Sequence, residues 1–187
     1  MAGTMHILAL GDSLTAGYGL DAGKSFADKL QEALKAKGHD VVVINAGVSG
    51  DTMAQGAARL DWALTDEVKA VIVELGANDV LRGLDPAQAE ISLRQILDTL
   101  KKKKLPTLVL GMLSPSNMGA DYQAKFNPIY AKLAKEYGAD LYPFFLEGVA
   151  AKPELNQPDG IHPNEKGVAE IVSRVIPYVE KLVTKLP

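Results

Sequence analysis

Five short apolar runs punctuate the 187-residue chain, at 7–10, 41–44, 71–75, 108–110 and, more weakly, 141–142, and helical patterns fill the gaps between them. The first four runs are rich in Val, Ile and Leu and do not alternate with polar residues. Strands buried on both faces of a parallel sheet read this way. Parallel neighbours need a crossover of about a dozen residues or more, most often a helix. Alternation of this kind points to α/β architecture, a sheet with helices on both faces in three layers.

The gaps carry helix signals of their own. Ser25 with Asp28 three residues on reads as a capping box, and Phe26, Leu30, Ala33 and Leu34 then share a face until Gly38. A weaker helix spans about 53–64. Asp85-Pro86 opens another, with Leu93, Ile96, Leu97 and Leu100 on its buried side. Phe126, Ile129, Tyr130, Leu133 and Tyr137 mark a fourth, closed by Gly138, and 168–182 a last, in which Pro177 predicts a kink or break. No repeat, linker or composition shift divides the chain, so 1–187 is expected to form one domain.

Sheets of this kind bind ligands beyond the carboxyl ends of their strands. The first strand runs into Gly11-Asp12-Ser13-Leu14, the second into Gly47-Val48-Ser49-Gly50, and the third into Gly76-Ala77-Asn78-Asp79. Asp159-Gly160-Ile161-His162-Pro163 precedes the last helix. A serine hydroxyl becomes a useful nucleophile only beside a base that a third group orients. Ser13, His162 and Asp159 supply those three types. Gly160 permits a tight turn, and Pro163 keeps His162 out of helical geometry, so Asp159 can fold back onto the imidazole. Acyl transfer also needs N–H donors aimed at a developing oxyanion. The backbone N–H groups of Ser13 and Gly50 and the side-chain amide of Asn78 are candidates. Each residue also has a plainer reading: Ser13, Asn78 and Asp159 as helix caps, Gly50 as a turn glycine.

Taken together, the four blocks resemble those of the SGNH, or GDSL, hydrolase superfamily. Asn45-Ala46-Gly47-Val48-Ser49-Gly50-Asp51-Thr52, Asn78-Asp79-Val80-Leu81-Arg82-Gly83 and Pro143-Phe144-Phe145 are similar to its bacterial thioesterase I, lysophospholipase L1 and arylesterase branch. The resemblance implies a flavodoxin-like αβα sandwich with five parallel strands in the order 2-1-3-4-5. It implies Ser13 as nucleophile, His162 as base and Asp159 as its orienter, with Ser13, Gly50 and Asn78 forming the oxyanion hole. Neither metal nor organic cofactor is implied. Val80 departs from the branch, where a glycine is expected, and bears on acyl-length preference.

The implied substrate is a small acyl ester, an acyl thioester or a lysophospholipid, with Leu81, Leu84 and Met118 as candidate contacts for the acyl chain. Arg82 reads either as a surface ion pair or as a contact for an anionic head group. A carbohydrate O-acetyl esterase or an acyltransferase would use the same chemistry. A flavodoxin-like ligand-binding module, a receiver domain using Asp79, or a metallohydrolase using Asp12, Asp79, Asp159 and His162 would not. Composition narrows the partners. A net charge of -3, with the only basic run at 101–104, carries no nucleic-acid footprint. The apolar runs fall far short of the ~20 residues that span a bilayer. Strand-like sequence follows residue 4 at once, so no signal peptide is expected, although members of the branch are often exported. With no cysteine, thiol chemistry and disulfides are excluded, while oligomeric state and compartment stay open.

Overall fold

The computed structural model describes residues 3–186. Five parallel strands, β1 (Met5–Gly11), β2 (Val41–Gly47), β3 (Val68–Glu74), β4 (Thr107–Leu110) and β5 (Asp140–Tyr142), form one sheet in the order β2-β1-β3-β4-β5. The chain moves outward from β1 to β2, then returns across β1 to β3. The crevice at the carboxyl ends of β1 and β3 is therefore the point where strand order reverses, the usual ligand position in such sheets. Register aligns those ends: Gly11 pairs with Gly47 on one side and Glu74 on the other. The segments after β1, β2 and β3 consequently leave the sheet at a common edge.

The apolar runs form strands because helices cover both faces. Ile7, Leu8 and Leu10 of β1 and Val71, Ile72 and Val73 of β3 are buried. α2 (Phe26–Ala36) and α8 (Glu165–Val183) pack together on one face, while α3 (Met53–Ala63), α5 (Pro86–Lys102) and α7 (Ile129–Tyr137) cover the other. Phe26 meets Phe145 edge to face at 5.0 Å between ring centroids, closing the core beneath α2. Capping boxes start α2 at Ser25 with Asp28 and α3 at Thr52 with Gln55. α1 (Ser13–Ala16) and α4 (Ala77–Leu81) are single turns directly after β1 and β3.

Two expectations need correction. The fourth helix is two helices, α6 (Ala120–Phe126) and α7, and Phe126 belongs to the first. Pro128 between them has no N–H to continue the ladder. Its neighbours still share one core because Phe126 packs against both Tyr122 and Tyr130. Conversely, α8 runs unbroken through Pro177. The proline leaves the Ser173 carbonyl without its usual donor, but Ser173 and Pro177 are both exposed, so the orphaned oxygen is on the side of the helix that solvent reaches. Val175, Val179 and Leu182 on the opposite side stay buried and hold the helix in line. No helix among the described residues is long and apolar enough to cross a membrane.

Candidate active site

Ser13 opens α1. The helix is capped not by Ser13 but by Asp12, whose Oδ1 accepts the Leu14 N–H at 2.9 Å. The serine hydroxyl is thereby free of capping duty. Ser13 Oγ lies 2.9 Å from His162 Nε2, across 149 residues of chain. His162 Nδ1 lies 2.6 Å from Asp159 Oδ2. With Nδ1 protonated toward the carboxylate, Nε2 is the nitrogen left to accept the hydroxyl proton.

The turn carrying these two residues is tied at its backbone. Asp159 Oδ1 accepts the Ile161 and His162 N–H groups at 2.9 and 3.0 Å. Partial burial works against the charge of Asp159. The backbone and ring N–H groups of His162 and the Ile161 N–H outweigh it and hold the carboxyl at a pKa of about 2. α8 is capped by Asn164, so Asp159 has no part in starting that helix.

Asn78 lies inside α4, which is capped by Gly76, and its side chain turns back toward β1. Its Nδ2 donates to the Asp51 carbonyl at 2.9 Å and to Asp12 Oδ2 at a longer 3.3 Å. Asp51 is the residue after Gly50, so the amide sits beside the Gly50 turn. Gly50 has φ +88°, a left-handed conformation that favours glycine. Arg82 Nη2 donates to the Gly50 carbonyl at 2.6 Å, a backbone contact in place of the surface ion pair of the sequence reading. The Asp51 carboxylate receives Arg59 Nε at 2.6 Å, and Arg59 Nη2 reaches the Gly11 carbonyl at 2.9 Å, lacing the turns after β1 and β2 together. The backbone N–H of Ser13, in the first turn of α1, has no partner within its helix.

Two buried carboxyls lie below. Desolvation raises Asp12 to about 6, against the Leu14 N–H and the charge of His162, which lower it. Desolvation and the neighbouring Asp12 charge push Glu74 well above the carboxylate range, and Thr15 Oγ1 donates to Glu74 Oε2 at 2.8 Å. Asp79 accepts the Met53 N–H at 2.8 Å and so anchors the start of α3; burial raises its pKa too. Asp79 is 2% exposed, and that contact gives it a structural part in joining α4 to α3.

Ser13, Asn78 and His162 line one end of a cavity of about 480 Å³. Its walls are mainly apolar, from Leu14, Val80, Leu81, Met112, Phe144 and Leu146 among others. Of the three acyl contacts expected from sequence, Leu81 lines this cavity; Leu84 and Met118 do not. The chain turns away at Gly83, and Tyr122 Oη holds the Leu84 carbonyl at 2.7 Å outside it. Met118 lies over the Gly83 turn. Met112 and Phe144 also line it, although neither lies in a block with catalytic residue types. The Pro143-Phe144-Phe145 segment is the sequence signal for Phe144 alone.

A family model for GDSL-like lipases and acylhydrolases matches residues 9–169, which contain every residue of this cluster. The chain belongs to that family. It is 42% identical over 178 residues to thioesterase 1/protease 1/lysophospholipase L1 of Escherichia coli strain K12, covering 95% of this chain and 84% of that protein. To esterase TesA of Pseudomonas aeruginosa it is 38% identical over 182 residues, covering 97% and 90%. Among solved structures, the SGNH-hydrolase family esterase AlinE4 is 49% identical, with a TM-score of 0.82 and 97% of each chain covered. The likeness to AlinE4 thus extends over nearly the whole fold as well as the sequence.

Proposed function

We propose that this GDSL family member is a serine esterase that cleaves acyl esters, with acyl thioesters and lysophospholipids as further substrates, through an acyl-enzyme on Ser13. The observation that carries the reading is the continuous chain Asp159–His162–Ser13 opening onto an apolar cavity. Its volume lies within the roughly 300–1,000 Å³ of small-molecule sites. The names of the relatives, a thioesterase and lysophospholipase and two esterases, point the same way.

His162 Nε2 takes the Ser13 proton as Oγ attacks the acyl carbonyl. Asp159 holds the tautomer and stabilises the imidazolium that forms. The negative oxygen of the tetrahedral intermediate is met by the N–H groups of Ser13 and Gly50 and by Asn78 Nδ2. Asn78 gives up its longer bond to Asp12 for this and keeps the shorter one to Asp51. Collapse expels the alcohol or thiol with the proton from His162. Water, deprotonated by the same nitrogen, then releases the acid. An apolar wall favours a hydrocarbon acyl chain over a sugar, whose hydroxyls need hydrogen-bonding partners. The wall amide of Asn156 already donates to the Val149 and Lys152 carbonyls.

Hydrolysis of p-nitrophenyl butyrate tests the assignment. Ser13→Ala and His162→Ala are each expected to lower kcat by roughly 10⁴–10⁶-fold, and the double variant no further, because the pair acts as a unit. A His162→Ala protein with near wild-type kcat defeats the assignment.

A further inference from the structure

Ser13 and His162 stand on different segments, one leaving β1 and the other entering α8, so their 2.9 Å separation requires those segments to be fixed to each other. Gln157 makes that connection. Its Nε2 donates to the Tyr18 carbonyl at 2.7 Å, on the loop five residues past Ser13, and to the Pro163 carbonyl at 3.0 Å, one residue past His162. Its backbone N–H donates to the carbonyl of His162 itself at 2.7 Å, and its own carbonyl accepts the Gly160 N–H at 2.9 Å. Both partners of the side chain are carbonyl oxygens, which only accept, so the amide nitrogen must face them. The amide oxygen lies against Gly19, at φ +72°, where a Cβ would come within 2.1 Å of it. Glycine there leaves the room the bridge needs.

The loop held by Gln157 also carries an aromatic ring to the imidazole. Tyr18 is 54% exposed, yet its ring packs on that of His162 with centroids 4.5 Å apart and planes inclined by 38°. The imidazole is thus restrained at an edge by Asp159 and on a face by Tyr18.

We propose that Gln157 and Tyr18 are positioning residues for the ester hydrolysis assigned above, Gln157 clamping the Ser13 and His162 segments and Tyr18 fixing the plane of the His162 ring. The inference rests on that assignment. Neither residue contacts the reacting carbonyl; both act through His162. Misplacement of a base by about 1 Å is enough to cost on the order of 10²-fold in rate.

The test compares Gln157→Met, Tyr18→Phe, Tyr18→Ala and the Gln157→Met/Tyr18→Ala double variant on p-nitrophenyl butyrate, well below each protein's melting temperature. Gln157→Met preserves side-chain length and the backbone bonds and removes the two amide donations. It is expected to lower kcat by roughly 10–100-fold with KM nearly unchanged. Tyr18→Ala is expected to do the same, and Tyr18→Phe, which keeps the ring, to retain wild-type kcat. The double variant should fall short of the product of the single losses, since both residues restrain one imidazole. Unchanged kcat in Gln157→Met, a change confined to KM, an equal loss in Tyr18→Phe and Tyr18→Ala, or fully multiplicative losses would each overturn the proposal. Fluorophosphonate treatment of the wild-type protein separates this failure from a failure of the assignment. Absence of modification at Ser13 removes the nucleophile and the brace with it. Modification at Ser13 together with wild-type turnover in Gln157→Met removes the brace alone.

Discussion

Single atoms divide the labour around Ser13. Asp12 Oδ1 caps α1 while its Oδ2 receives the Asn78 amide, so one buried carboxyl sets both the start of the turn that carries Ser13 and the direction of the amide proposed as an oxyanion donor. Asn78→Ala is expected to lower kcat by about 10²–10³-fold, as loss of one oxyanion donor does, measured on a p-nitrophenyl ester at saturation. Asp159→Asn should cost about as much or more by admitting the wrong tautomer of His162; full activity across neutral pH would rule that role out. The buried carboxyls predict a pH effect on stability. Folding raises the pKa of both Asp12 and Glu74, so the native state holds more protons than the unfolded chain. Their contribution therefore declines as pH rises above about 4, through about 6 for Asp12 and through its own raised pKa for Glu74. Glu74→Gln keeps an acceptor for Thr15 but does not ionise, and its melting temperature should fall less than the wild type's over that interval. The candidate residues were legible in sequence as types at strand ends. Their separation from plain capping roles was not, because the caps are Asp12, Gly76 and Asn164, each next to or near the residue suspected.

Local rules decided the elements where one side chain carries the signal. Ser25 and Thr52 both make reciprocal capping boxes. Ser25→Ala is expected to destabilise the protein by about 0.5–2 kcal/mol, read from urea unfolding, because a buried N-terminus loses its acceptor. Proline was harder to read. Its missing N–H matters according to which carbonyl is orphaned and whether water reaches it. At Pro177 the orphan faces solvent and α8 continues. At Pro128 the chain ends one helix and begins another on the same apolar face, a change that periodicity alone does not register. The one-turn helices α1 and α4 are too short to leave a periodic pattern, yet they present Ser13 and Asn78.

On the scale of the molecule, the return of the chain across β1 brings the ends of β1, β2 and β3 to one edge, and the loop before α8 adds Asp159 and His162. Alternating apolar runs made the three layers legible, while strand order came from the resemblance of the blocks. The cavity wall stayed largely illegible because Met112, Phe144 and Leu146 converge only through the pairing of β4 with β5. Val80, buried at 3% exposure, contributes bulk where a glycine was expected. Filling the cavity with Leu146→Trp should shift preference toward shorter acyl chains across a graded series of p-nitrophenyl esters, lowering kcat/KM for the longest most. The central claim is that one serine oxygen receives the acyl group, and the most direct test is mass-spectrometric mapping after fluorophosphonate treatment. A single adduct on the peptide containing Ser13, lost in Ser13→Ala, is the expected result; an adduct on a different serine, or one that survives that substitution, contradicts the account.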